Sequence, residues 1–152
     1  MQGFSFVGAV AVLALAIPAA QGAGFGFTVD VSLSPKAAAT LKARGEGIVV
    51  SAMYSGEPIP SKMSKADEMG MIDLGNEDVT IAGANGRAVI TGSKVATAHV
   101  GWVKAVGVLI NVYTARKTTQ DNLIDCGIFE DTVTKAQATQ PIVIACKIIG
   151  EK

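Results

Sequence analysis

From residue 27 onward the chain alternates apolar and polar side chains with a period of two: Phe27, Val29, Val31 and Leu33 are separated by Thr28, Asp30 and Ser32. Successive side chains of a strand point to opposite faces, so such a run has one face that must be buried and one that tolerates water. A lone strand cannot bury its apolar face, and the pattern therefore demands a sheet packed against a second layer. The pattern returns along the chain. Ile48 to Tyr54 has strand character and stops at Ser55-Gly56-Glu57-Pro58, a dense turn signal. Pro58 and Pro60 make residues 57–68 a loop, Met71 to Leu74 a short strand, and Gly75-Asn76 a turn into Val79 to Ile81. Asn85-Gly86 sits between Val79–Ala82 and Ala88–Thr91, and because Asn-Gly tolerates positive φ it predicts a tight hairpin. In 99–115, Val106, Val108, Ile110 and Val112 alternate with Gly107, Leu109, Asn111 and Tyr113, as in a central strand. Ile142 to Ile149 is the last strand.

One helix interrupts the series. Ser34 is placed to cap free backbone N–H groups, Pro35 fits the first helical position, and Gly45 supplies the stop. Ala37, Ala38, Ala39 and Leu41 give that helix a thin apolar side. Seven to eight strands with one short helix and frequent turns predict a two-layer antiparallel β-sandwich. No period of 20 to 50 residues recurs, which excludes a solenoid. The passage Val49 to Gly70, with Tyr54-Ser55-Gly56-Glu57-Pro58 followed by Asp67-Glu68-Met69-Gly70, resembles the strand–turn–strand portion of transthyretin-like and immunoglobulin-like sandwich domains. The resemblance implies the fold class and carries no function.

The first 22 residues read differently from the rest. Phe4 to Ala20 is almost wholly apolar and uncharged, is broken by Pro18, and is followed by small residues; Ala20 and Gly22 suit a cleavage site. This is how a secretory signal peptide is built, although no Lys or Arg precedes the apolar run. The competing reading is a retained anchor, since the apolar stretch is near the ~17 to 25 residues that span a bilayer. Pro18 and the Gly-rich Gly22–Gly26 favour cleavage, which leaves residues 23–152 as one domain with no stable membrane insertion, periplasmic or secreted. Export fixes how the cysteines read. Cys126 and Cys146 are the only two, and in an oxidising compartment an even pair without C-x-x-C spacing is a disulfide staple.

Composition excludes several functions. Half the residues, 49%, are apolar, too many for a disordered chain. Thirteen basic and thirteen acidic side chains cancel, and the aromatics are few, so a uniformly basic nucleic-acid binder with a platform for stacking bases is not expected. The charges are nevertheless segregated. Glu57–Asp78 holds six acids against Lys62 and Lys65; Val79–Gln120 holds five bases and no acid; Asp121, Asp125, Glu130 and Asp131 follow. This order reads either as a polarised face for a protein partner or as ion pairing between strands.

Catalytic residues are scarce. His99 is the only histidine, in a strand-like context with no nucleophile signature beside it. Asp67, Glu68, Asp73, Glu77 and Asp78 are candidates for acid–base work, and a solvated acidic loop explains them equally. The reading is therefore not an enzyme, and no cofactor is implied. A metal reading rests on Met63, Met69 and Met71, with His99 as a further ligand, because thioether sulfur selects Cu(I); against it, Met also fills irregular gaps. The leading expectation is an exported, non-catalytic module that binds a protein partner, of which an inhibitor or immunity-type protein is an example. Its contact residues are Glu57, Lys62, Lys65, Asp67 and Glu68 in one connection and Arg116 and Lys117 in another. A periplasmic copper-binding protein and a structural envelope component are the alternatives.

Overall fold

The computed structural model describes residues 24–152, so the signal-peptide reading of residues 1–22 lies outside the described residues. Eight strands build two four-stranded sheets: β1 (Phe27–Leu33), β2 (Gly47–Gly56), β3 (Ile72–Ala82), β4 (Gly86–Ile90), β5 (Gly107–Thr114), β6 (Ile124–Cys126), β7 (Phe129–Thr132) and β8 (Ile142–Ile148). One sheet has the order β4-β1-β8-β6 and the other β3-β2-β5-β7. The mainly β, two-layer architecture is the one the alternation demands. The inward residues are those of the period-two pattern: Val29 and Val31 of β1, Ile48 and Val50 of β2, Ile110 and Val112 of β5, and Ile142 and Ile144 of β8 are all buried in one core.

The sheets are not wholly antiparallel. β1 and β8 pair in parallel, with Val31 beside Ile144 and Leu33 beside Cys146, because the first and last strands meet in the middle of one sheet. Alternation dictates which face a residue occupies and is silent on strand direction.

Two α-helices form where one was expected. In α1 (Pro35–Arg44), Ser34 Oγ accepts the Ala37 N–H at 3.1 Å, Pro35 opens the helix, and Gly45 closes it at φ 63°. Its thin apolar side, Ala37 and Leu41, is fully buried. The second, α2 (Val133–Thr139), is capped by Thr132 and buries Val133 and Ala136. It has only seven residues, too few for the sequence to display a helical period. Short 3₁₀ turns occupy Pro60–Lys65, inside the expected loop, and Thr97–Trp102, where a strand through His99 was expected.

Three further boundaries differ. The expected strands Met71–Leu74 and Val79–Ile81 merge, from Ile72 onward, into one long strand, β3, whose register shifts against β2 between Tyr54 and Ser55. The irregularity leaves Leu74 without a partner, next to Gly75, which pairs with Tyr54 and stands at φ 113°. In the 99–115 stretch only Gly107–Thr114 is strand. Asn85-Gly86 is not a hairpin turn, for β3 and β4 lie in different sheets and the segment carries the chain across the sandwich. Neither residue has positive φ. Asn85 instead offers its side-chain oxygen to the Leu33 N–H at 2.7 Å, anchoring the crossing to the end of β1.

Cys126 and Cys146 form the expected disulfide, with Cα atoms 4.0 Å apart. They are directly opposite each other in the β6–β8 ladder, so the short strand β6 is held to the C-terminal strand.

Candidate functional site

β2 and β5 are neighbours, with Ser55 opposite Gly107, so the chain leaves and enters this sheet at one end of the sandwich. The segment after β2 and the segment before β5 are joined there. Pro58 and Val103 form an isolated antiparallel bridge, the Ile59 N–H donates to Trp102 O at 2.8 Å, and the Lys104 N–H donates to Glu57 O at 2.9 Å. The pairing continues in the side chains, where the Lys104 ammonium meets the Glu57 carboxylate at 2.8 Å. The hydrogen bond from Lys104, followed by its charge, holds the Glu57 carboxyl below the usual range.

Trp102 is the centre of this surface. The His99 ring stacks on it at 4.0 Å between centroids with the planes 22° apart. The Lys62 ammonium lies 4.7 Å from the indole centroid, within cation–π range. One residue further, Met63 is 64% exposed, and Met69, on the same excursion, is 85% exposed. The excursion is held by its own acid: Asp67 Oδ1 accepts the N–H groups of Met69 at 2.8 Å and Met71 at 3.0 Å. Glu68 and Lys65 are exposed. Beside this surface an open cleft of about 350 Å³ is lined by Glu57, Met71, Lys104, Leu109, Glu130 and Asp131, among others.

The structure thus brings Glu57, Lys62, Met63, His99 and Trp102 to one end and places Arg116 and Lys117 elsewhere. Those two follow β5 at its far end, where Ala115 N–H donates to Gly47 O. The ten residues of β2 separate the two groups by roughly 30 Å, at ~3.3 Å per residue. They are two surfaces.

The acidic candidates are engaged locally. Asp73 accepts the Gly75 N–H and Asp78 accepts from the Asn76 side chain. Glu77 is buried at 7% exposure and binds the N–H and hydroxyl of Thr91 and the N–H of Gly92, each at 2.8 Å. Its work is to fasten the chain leaving β4. Among the described residues no three His, Cys, Asp or Glu side chains gather as a metal site. The sulfur-based set of Met63, Met69 and Met71 lies on the same excursion, and the bridge to Val103 brings the His99 segment alongside it.

Glu46 is the residue that sequence reasoning missed. It is 4% exposed, and its carboxylate accepts the backbone N–H groups of Gly47, Lys117 and Thr118 and the Thr118 hydroxyl, at 2.9 to 3.0 Å. Burial alone would raise its pKa, but these donors outweigh it and bring the value down to about 2. The only sequence signal was an acid directly after the helix stop Gly45, and its partners are 71 and 72 residues away.

Among the described residues no helix is long and apolar enough to cross a membrane. Compared with known protein families, curated proteins and solved structures, the chain shows no match.

Proposed function

We propose that this chain is an exported, non-catalytic binding module that recognises a protein partner through the end of the sandwich centred on Trp102. The observation that carries this reading is the combination of exposed Met63 and Met69 with a Trp102 ring flanked by Lys62 and His99. Protein interfaces are enriched in Met and aromatic residues, and a half-buried Trp102 rooted on the core, with exposed methionines on the excursion that carries Lys62, has the composition of an interface anchor. Two hydrogen-bonded excursions present these groups with their backbones already fixed, which lowers the ordering cost of association. The Glu57–Lys104 pair at the margin supplies a polar rim. Export accords with the disulfide, which persists in oxidising compartments.

The test is affinity capture from an envelope extract with the immobilised full chain, compared with Trp102→Ala and with Met63→Gln/Met69→Gln. A partner held by the wild-type chain and released by both variants is the expected result. Equal capture by all three, or turnover of a substrate by the chain alone, would overturn the reading.

A further inference from the structure

The opposite end of the sandwich collects four cations. Lys42 and Arg44 occupy the last turn of α1. Two residues past Arg44, the buried Glu46 carboxylate takes the N–H groups of Lys117 and Thr118 at 3.0 Å each and so fixes segment 115–121 against the helix end. The Lys117 ammonium comes within 3.2 Å of the position a Cβ would take on Gly47. Arg116 stands at φ 57°, the one non-glycine residue with positive φ among those described, and its guanidinium lies 5.8 Å from the Tyr113 ring centroid. All four cationic residues are exposed.

The structure leaves these charges uncompensated. The dipole of α1 accounts for Lys42 and Arg44, and does not reach the choice of Arg116 and Lys117 on a separate loop. The two ion pairs among the described residues, Asp30–Arg87 and Glu57–Lys104, use none of the four. Glu46 is turned inward and committed to its backbone donors. Glu151 is bound to Ser34, at the far, N-terminal end of α1. Asp121, an exposed acid at the end of the loop, forms no ion pair with any of the four.

We propose that this basic pole docks a sulfate- or phosphate-bearing polyanion of the anionic-glycan class. Two guanidinium forks suit tetrahedral oxyanions bidentately, and two ammonium groups add charge without directional demand. None of the large exposed apolar side chains belongs to α1 or to 115–121. A protein partner calls for such an anchor, whereas a polyanion binds by releasing counterions and needs none. The pole is therefore separate in chemistry and place from the Trp102 surface.

The probe is immobilised heparin, a sulfated glycan, with the full chain eluted by salt beside Lys42→Gln/Arg44→Gln, Arg116→Gln/Lys117→Gln and the charge-matched control Lys94→Gln/Lys135→Gln. Both pole variants should elute at lower salt than wild type, with the slope of log affinity against log salt reduced by about 2 in each. The control should elute with wild type. Thermal melts verify folding, and if the Arg116/Lys117 variant fails to fold, the helix variant carries the test. An equal shift in the control, absence of retention, or tighter binding to immobilised polyglutamate, which marks an acidic-protein surface, would overturn the proposal.

Discussion

The carboxylate of Glu46 accepts the backbone N–H of Lys117 at 3.0 Å across 71 residues of sequence. It thereby ties the connection from β5 to β6, which passes from one sheet to the other, to the start of β2. Glu77 does the same at the other end, holding Thr91 and Gly92 where the chain leaves β4 on its way to β5. The two buried carboxylates are the latches of two inter-sheet crossings. Each latch turns a buried side-chain carboxyl group onto backbone donors that the crossing leaves without ladder partners.

Glu46 makes stability depend on acid. Its folded pKa, about 2, lies below the ordinary glutamate value of 4.5, so its contribution is complete above that ordinary value and is lost as pH falls through about 2. Glu46→Gln should lower stability at pH 7 by about 1 to 3 kcal/mol through poorly paired buried donors. It should also flatten the loss between pH 5 and pH 2 relative to wild type. Urea unfolding at several pH values measures both, and parallel acid profiles for the two proteins would refute the assignment.

The disulfide closes a loop of 20 residues. Chain entropy assigns such a closure roughly 3 kcal/mol. Cys126→Ala/Cys146→Ala should lose about that much in chemical denaturation. Because β6 has three residues and pairs only with β8, its amide protons should exchange faster before those of β1 and β2 do. Uniform acceleration across both sheets would mean that β6 is not a separate unit of opening.

Which of these features could be read in advance follows from how local their causes are. The α1 boundaries were legible because Ser34, Pro35 and Gly45 act on backbone groups within three or four residues of themselves. The inward faces of β1, β2, β5 and β8 were legible because alternation is a property of each strand alone. The parallel β1–β8 contact was hidden, since it depends on where two remote segments meet. Asn85-Gly86 misled because its dipeptide preference is shared by hairpin turns and by side-chain anchors, and only the sheet assignment separates them. Of the expected contact residues, Glu57 and Lys62 fall together because the Pro58–Val103 bridge joins their loop to that of Trp102. Arg116 and Lys117 fall elsewhere because β5 runs antiparallel to β2 and ends at the other pole.

Gly75 sits at φ 113°, and a Cβ built there would strike the carbonyl oxygen of Lys94. The Ala96 N–H donates to Leu74 O at 2.7 Å on the same edge, so the segment before the Trp102 surface rests on β3 here. Gly75→Ala combines backbone strain with a backbone clash that no rotamer relieves, and should cost on the order of 3 kcal/mol. A melting temperature within a degree of wild type would contradict the described register shift.

Asn85 separates the two meanings of its dipeptide most directly. If Asn85-Gly86 formed a primed turn, positive φ would make Gly the best replacement, and Asn85→Gly would be neutral or stabilising. In the structure neither residue has positive φ, and the Asn85 oxygen is the acceptor for Leu33 N–H at the edge of the core. Asn85→Gly and Asn85→Ala should then both cost about 1 kcal/mol, while Asn85→Asp, which keeps the acceptor, should retain most of the stability. Denaturation of the three variants decides it. A stable glycine variant would return the segment to a turn and remove the anchor from β1.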